Sequence, residues 1–177
     1  TVGELPEQVD LGRFDAVIVH YSLILSNDTY VSSASRDRLR SFNGVKALFI
    51  QDEYRWVNRA IEAMNYIRAD LLFTCVPEGE IDKVYAPAAT PGIRKINTLT
   101  GFVPHDLLNA RPIPYADREV DVGYRARRLS ALFGALAREK WTIAEKFSAE
   151  APGYGLVCDI SCREEDRLYG DRWTHFV

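Results

Sequence analysis

The sequence has little of what marks membrane proteins, disulfide-rich proteins and metal centres. No apolar run approaches the roughly 20 residues that a helix needs to cross a bilayer. The longest runs, Ala16–Val19 and Val45–Ile50, have the length of a strand. The cysteines, Cys75, Cys158 and Cys162, are odd in number, and no nearby histidine completes a metal-binding set. These absences predict no transmembrane segment, no disulfide framework and no metal site, in a reducing, cytoplasmic setting.

Charge of one sign is not in excess either. The 177 residues include 22 lysines and arginines against 25 acidic residues, which gives a net charge of −3. A chain so close to neutral has no general attraction for nucleic acid or for an anionic membrane. Its hydrophobic content of 47% is ordinary for a globular protein, and its length can bury a substantial core. We therefore expect one large domain or two small ones, and no nucleic-acid partner.

A strand–helix–strand pattern spans residues 45–76. Val45–Ile50 is an apolar run of strand length, and Leu71–Val76 is a second one. Between them, residues 56–69 carry a stripe of apolar side chains at helical spacing, namely Val57, Ile61, Met64 and Ile67. Strand, helix and strand within about thirty residues predict a right-handed βαβ unit of a parallel sheet. Ligands of such sheets bind beyond the carboxyl ends of the strands.

The rest of the chain shows the same alternation. Phe14–Tyr21 is a predicted strand whose continuous apolar run indicates cover on both faces, and Ser33–Phe42 is a predicted short helix. The two prolines of Arg111–Pro114 predict an extended linker. Further strands are predicted at Ile93–Leu99, Val120–Tyr124 and Leu156–Ile160, and further helices at Ala131–Ala149 and from Glu164 onward. The sequence therefore predicts α/β structure with parallel sheets and flanking helices, divided between residues 1–115 and 118–177.

The polar stretch Gln51–Arg55 lies between the first strand of the βαβ unit and its helix. Its carboxylates, Asp52 and Glu53, can bind a polar ligand or act as a general base at the sheet edge. Acidic side chains at a helix N-terminus are also favoured, by about 0.3–1 kcal/mol each, through the macrodipole and unpaired N–H groups. The sequence leaves both interpretations open, ligand contact and helix capping.

His20 ends the first predicted strand, at the same predicted edge of the sheet. Histidine ionises near neutral pH, so a histidine in this place can accept the proton of a substrate hydroxyl. A single histidine without a named partner is also a common structural residue. Both roles remain open for His20.

Three arginines follow the predicted strand Val120–Tyr124, namely Arg125, Arg127 and Arg128. One guanidinium group can donate to two phosphate oxygens at once, and the N-terminus of a following helix adds partial positive charge. The arrangement suits a diphosphate, with Lys140 in the helix as a further cation. The alternative is a solvated basic loop, with Lys140 paired to a glutamate of its own helix. Gly123 alone is not a dinucleotide fingerprint.

Several segments of the chain form a recognisable set. They are Leu48–Arg55, Thr98–Gly101 followed by Val103-Pro104, Asp121–Arg127, and Asp159–Ser161 with Glu164–Trp173. Together they resemble bacterial glycosyltransferase-like proteins of the two-domain GT-B type, which have two Rossmann-like domains. Such proteins are often associated with the synthesis of cell-surface polysaccharides. The resemblance runs through most of the chain from Phe14 onward.

The resemblance has implications for the roles of both parts of the chain. It implies that residues 1–115 belong to an acceptor-side domain and that residues 118–177 begin a donor-side domain. It places the Arg125 loop near the diphosphate of a nucleotide sugar, which is a substrate, so no cofactor is expected. It places His20, or the Asp52–Glu53 pair, opposite a hydroxyl acceptor. The acidic Glu-Ser-Gly stretch that holds the sugar and ribose in such enzymes does not occur in the sequence.

The sequence therefore predicts a metal-independent transfer of a sugar from a nucleotide diphosphate to a hydroxyl group. The chain begins at Thr1 and stops at Val177 within an apolar helical pattern, so we expect a piece of a longer protein that is inactive alone. The alternative is a non-catalytic, flavodoxin-like α/β binding module. A response-regulator receiver is excluded, because the first predicted strand ends in His20-Tyr21-Ser22 and not in an acidic pair.

Overall fold

The structure, a computed structural model, describes residues 4–99 and 105–176. It is an α/β structure in which parallel strands form two small sheets flanked by helices, and this confirms the predicted fold class. The chain divides into two compact units, Thr1–Pro104 and His105–Val177. The part of the resemblance that falls on Thr100-Gly101 and Val103-Pro104 lies outside the described residues.

The first unit contains a parallel sheet of four strands in the order β1-β2-β3-β4. The strands are β1 (Ala16–Val19), β2 (Val45–Ile50), β3 (Leu71–Thr74) and β4 (Arg94–Asn97). The helices are α1 (Ser33–Ser41), α2 (Val57–Ile67) and α3 (Ile81–Val84). The predicted βαβ unit is therefore confirmed, as β2, α2 and β3. The first predicted strand is shorter than expected, because β1 pairs with β2 only from Ala16 to Val19.

The core of this unit lies between the sheet and α2. Val19, Leu48 and Leu72 are direct neighbours across β1, β2 and β3, and all three are buried. Met64 and Ile67 of α2 pack into the same cluster and are completely buried. The predicted apolar stripe of the helix is thus the face that covers the sheet. Burial of side chains of this size contributes about 1.5–3 kcal/mol each.

The opposite face of the sheet differs from the sequence expectation of cover on both sides. Successive side chains of a strand point to opposite faces, so Ile18 points away from its buried neighbour Val19. The Ile18 side chain is 67% exposed, while Phe49 and Phe73 on the same face stack on each other at 4.4 Å. With strands in the order 1-2-3, right-handed crossovers place α1 and α2 on one face, which leaves the other without them.

The second unit contains two parallel strands, β5 (Val122–Arg125) and β6 (Cys158–Ser161). Its helices are α4 (His105–Asn109), α5 (Ala135–Glu150) and α6 (Asp171–Phe176). Helix α5 connects the two strands and buries Ala137 and Ala144. Arg125 is the last residue of β5, so it lies in the strand and not in the loop predicted after it.

Two glycines explain why two helices begin later than the sequence predicts. Gly134 has φ +77°, and it separates a 3-10 turn at Ala131–Phe133 from the start of α5. Gly170 has φ +54°, and it lies between a 3-10 turn at Glu164–Asp166 and the start of α6. A residue with positive φ cannot continue a right-handed helix, so each helix starts only after its glycine.

The core predicts a clear difference between two leucines of the first unit. Leu72→Ala should lower the free energy of unfolding by about 2–5 kcal/mol, because it leaves a cavity at a completely buried site. Leu99→Ala is the control, because the Leu99 side chain is 90% exposed, and its effect should stay within about 0.5 kcal/mol. Urea denaturation followed by circular dichroism measures both. Equal losses would contradict this description of the core.

Candidate functional site

A cavity of about 330 Å³ lies beyond the carboxyl ends of β1 and β2, and we call it the sheet-edge cavity. The loop after β1 and the loop after β2 form most of its wall. Its wall includes Tyr21, Tyr30, Asp52, Glu53, Trp56 and Tyr85. This is the position at which parallel α/β sheets bind ligands, and its size suits a small molecule. The predicted polar stretch Gln51–Arg55 therefore does reach a cavity.

Glu53 is held at the sheet-edge cavity by two buried hydroxyl groups. Its Oε1 accepts hydrogen bonds from the Thr74 hydroxyl and from the Tyr85 hydroxyl, the latter at 3.5 Å. Both donor residues are completely buried, whereas Glu53 is half-buried. Burial, together with the negative charge of Glu53, raises the pKa of Tyr85 far above its usual value, so this phenol remains protonated and can donate.

Helix capping, the other interpretation of these carboxylates, is not what the structure shows. The N-cap residue of α2 is Trp56, it makes no side-chain capping bond, and the first turn of the helix contains no acidic residue. Helix α2 begins too far beyond Asp52 and Glu53 for them to cap it. Glu53 instead accepts hydrogen bonds from residues of β3 and of the segment after α3.

The loop that carries Glu53 is bracketed by strained backbone. Asp52 has φ +66° and Trp56 has φ +51°, and both are non-glycine residues in the left-handed region. Such a conformation costs about 1–3 kcal/mol and persists only where the surroundings impose it, often at functional sites. The Arg55 guanidinium lies over the Trp56 ring, 4.1 Å from its centroid, and this contact helps to hold the loop.

Cys75 lies near the carboxylates of Glu53 and Asp52. Its thiol contacts the Ile50 carbonyl oxygen at 3.7 Å, so it sits between the ends of β2 and β3. Burial, followed by the negative charges of Glu53 and Asp52, raises the pKa of the Cys75 thiol above its usual value. Thr74, Cys75 and Tyr85 were not predicted from the sequence as site residues. Thr74 and Cys75 lie at the carboxyl end of the predicted strand Leu71–Val76, and this position could have indicated them.

His20 follows β1 instead of lying within it as predicted, and it is not among the residues that line the sheet-edge cavity. Its ring is exposed and lies 4.0 Å from the ring of Tyr21. Its Nδ1 is 2.9 Å from the Ser22 hydroxyl. The cavity wall contains Tyr21 and Ser22 instead. The structure therefore brings Asp52 and Glu53 to one cavity and leaves His20 outside its wall.

The second unit has a cleft of about 500 Å³ at the carboxyl ends of its strands, and we call it the basic cleft. Four arginines and a lysine line it, namely Arg125, Arg127, Lys140, Arg163 and Arg167. Arg163 and Arg167 follow β6 and were not predicted as site residues, although the carboxyl end of β6 is as suitable a ligand position as that of β5. Asp166 also lines the cleft and Arg128 does not, so five cations and one carboxylate leave the same excess of four positive charges as the four predicted cations.

Arg125 serves mainly to join the two strands of this unit. Its Nη2 donates to both carboxylate oxygens of Asp159 at 2.7 Å, and its Nη1 donates to the Asp159 carbonyl at 2.7 Å. Its guanidinium also lies 4.4 Å from the Phe176 ring centroid. That ring occupies the space beside Gly123, where an added Cβ would come within 2.9 Å of it. The guanidinium faces the cleft with most of its donors already engaged.

The other predicted cations differ in how available they are. Arg128 is outside the lining of the basic cleft, donates to Glu145 at 2.9 Å and lies over the Trp141 ring. Arg127 and Lys140 line the cleft, are exposed, and have no ion pair among the described residues. Among the described residues Lys140 pairs with neither Glu139 nor Glu145, the alternatives considered for it, and Arg128 binds Glu145.

The two missed arginines already have acidic partners. The Arg163 Nε lies 3.1 Å from Asp166, and Arg167 pairs with Glu164. A hydrogen bond from the Ser161 hydroxyl, supported by the charge of Arg163, lowers the pKa of Asp166 below its usual value. These pairs are exposed at the surface, so they contribute little to stability and can open towards an anionic ligand.

Within residues 4–99 and 105–176, no group of three or more histidine, cysteine and acidic side chains is arranged to hold a metal ion. Of the helices in these residues, none combines the length and the apolar character needed to cross a bilayer.

The placement of Cys75 beside Glu53 makes a prediction about thiol reactivity. Glu53→Gln should lower the pKa of Cys75, because it removes a neighbouring negative charge, and it should raise the alkylation rate at pH 8 about threefold. Peptide mass spectrometry after iodoacetamide treatment separates Cys75 from Cys158 and Cys162, whose rates serve as internal controls. An unchanged Cys75 rate would contradict the placement.

The Arg125–Asp159 pair makes a prediction about stability. In a double-mutant cycle with Arg125→Gln and Asp159→Asn, the coupling energy should be about 1 kcal/mol, because one guanidinium nitrogen contacts both carboxylate oxygens and Arg125 is largely buried. The matched control is the exposed pair of Arg128 and Glu145, for which Arg128→Gln and Glu145→Gln should couple by less than about 0.5 kcal/mol. Denaturant titrations measure both. Equal coupling would show that Arg125 has no special structural role.

Comparisons with known proteins add no further assignment. No protein-family model, curated protein or solved structure matches this chain. Function is therefore inferred from the two sites themselves, the carboxylates at the sheet-edge cavity and the cations of the basic cleft.

Proposed function

We propose that this chain serves in glycosyl transfer, moving a sugar from a nucleotide-diphosphate donor to a hydroxyl acceptor. The observation that carries the proposal is that each unit has a site at the carboxyl ends of its parallel strands, with opposite chemistry. The first site offers carboxylates that can accept a proton, and the second offers cations that can bind phosphate oxygens. Transfer of a sugar from a nucleotide diphosphate needs both functions.

In this proposal the basic cleft binds the diphosphate of the donor. Arg127 and Lys140 carry charges that no described acidic group neutralises, and Arg163 and Arg167 add further donors. As the bond between the sugar and the diphosphate breaks, negative charge grows on the leaving oxygen, and nearby cations stabilise it. Arg125 supports the cleft by holding β5 and β6 together, and Arg128 lies outside it.

The sheet-edge cavity then receives the acceptor. The acceptor oxygen forms a bond to the anomeric carbon while its proton passes to a carboxylate, for which Asp52 and Glu53 are both present at the cavity. His20 remains a candidate only if the acceptor extends beyond the cavity wall. We place this reaction in the cytoplasm, in the synthesis of surface polysaccharide, in accordance with the resemblance described above.

Binding of nucleotide sugars tests the proposal. Uridine, guanosine and adenosine diphosphate sugars should each be assayed by thermal shift and calorimetry, and at least one should bind. The double variant Arg127→Ala and Lys140→Ala should weaken that binding at least about tenfold, because it removes two charge-assisted contacts. The matched control is Arg138→Ala with Lys146→Ala, which makes the same charge change on exposed residues of α5 outside the cleft.

The outcomes separate glycosyl transfer from the flavodoxin-like binding module. No binding of any nucleotide sugar would contradict the proposal. Equal weakening by the control pair would show a general charge effect, and would contradict a site in the basic cleft. Binding of a nucleotide sugar that depends on Arg127 and Lys140, followed by transfer to an added hydroxyl compound in the intact protein, would support it.

A further inference from the structure

We propose that Glu53 is the group that takes the proton of the acceptor hydroxyl, and that Thr74 and Tyr85 are positioning residues for its carboxylate. The inference rests on the proposed function and deepens it, because it selects one group among three and assigns a role to two residues outside the loop. It depends on a difference between the two carboxylate oxygens of Glu53, because one accepts hydrogen bonds from described residues and the other accepts none.

The hydrogen bonds to Glu53 are unequal at its two oxygens. Oε1 accepts from both Thr74 and Tyr85, whereas no described residue donates a hydrogen bond to Oε2. The Glu53 side chain belongs to the wall of the sheet-edge cavity. A carboxylate held through one oxygen loses much of its rotational freedom, so the other oxygen is kept ready for a ligand hydroxyl. This is the arrangement that a general base requires.

The two donors are fixed by their own surroundings. Thr74 ends β3 and is completely buried, and its oxygen also accepts a hydrogen bond from the Val76 N–H at 3.1 Å. Tyr85 is completely buried in the core of the first unit, and its hydroxyl reaches Glu53 from the segment after α3. A buried hydroxyl without a partner costs about 1–3 kcal/mol, so these two groups favour one placement of the Glu53 carboxylate.

The other two candidates lack such positioning. The Asp52 side chain is exposed and receives no hydrogen bond from a described residue. His20 lies outside the cavity wall and is occupied with Ser22. Glu53 alone combines a place on the cavity with a fixed orientation.

The charged and polar groups around Glu53 come from several elements. Asp52 and Arg55 share its loop, Cys75 follows β3, and Tyr85 follows α3. Tyr21 and Tyr30 face the cavity from the loop after β1. Of these groups Tyr85 donates a hydrogen bond to the Glu53 carboxylate, and Thr74 is the second donor. Loss of either donor should therefore leave the carboxylate free to turn away from the acceptor hydroxyl.

Carbon-13 NMR of protein labelled in its glutamate carboxyl groups tests the positioning directly, without turnover. The Glu53 resonance is identified by its absence in Glu53→Gln. At a fixed neutral pH its chemical shift should change in Thr74→Val and in Tyr85→Phe, because the carboxylate loses a hydrogen-bond donor in each variant. Thr90→Val is the matched control, because Thr90 is also buried but donates to backbone carbonyls and not to Glu53. Two independent variants keep the test decisive if one of them fails to fold.

Steady-state transfer by the intact protein provides the second measurement. Loss of a positioning donor should lower kcat about tenfold in both variants, because the acceptor hydroxyl loses the placement of its base. The KM for the donor should stay unchanged. An unmoved Glu53 resonance, or transfer with an unchanged kcat, would overturn this inference alone. Absence of transfer in the unaltered intact protein, with the NMR shifts present, would overturn the proposed function instead.

Discussion

The parallel register between β2 and β3 is the constraint on which the first site depends. Leu48 pairs with Leu72 in the core, and the same register places Ile50 beside Thr74 at the carboxyl ends of the strands. The loop after β2 therefore starts next to Thr74, and its carboxylate at Glu53 meets the Thr74 hydroxyl. A slip of β3 by one residue would turn the Leu72 and Thr74 side chains to the other face of the sheet. Apolar packing thus decides which polar groups meet.

The two sites use the same position of the fold with opposite electrostatics. At the sheet-edge cavity a half-buried carboxylate is surrounded by buried hydroxyl groups, so its interactions are short-range and only weakly screened by solvent. In the basic cleft the cations are mostly exposed, so their attraction for phosphate acts at longer range and weakens with salt. The first arrangement suits the transfer of one proton, and the second suits the binding of a doubly charged group.

Arg125 has the chemistry to bind a phosphate group, but its contacts give it a structural role. The parallel pairing of β5 with β6 sets Gly123 against Asp159, so the Asp159 carboxylate lies within reach of the Arg125 guanidinium. Gly123 has no side chain, and the space beside it holds the Phe176 ring, on which the same guanidinium lies. The arginine therefore joins two strands and a helix, and the exposed Arg127 is left for the ligand.

The sequence by itself determined the α/β class, the βαβ unit and the stretches at which polar residues follow strands, because apolar periodicity and strand length are local properties. It also placed Asp52, Glu53, Arg127 and Lys140 correctly at strand ends or in the following helix. Only the tertiary structure decided what these groups touch. The partners are distant in the chain, with Thr74 and Tyr85 lying 21 and 32 residues from Glu53 and Asp159 lying 34 residues from Arg125. A local pattern contains no information about such pairs, because strand register and core packing bring them together.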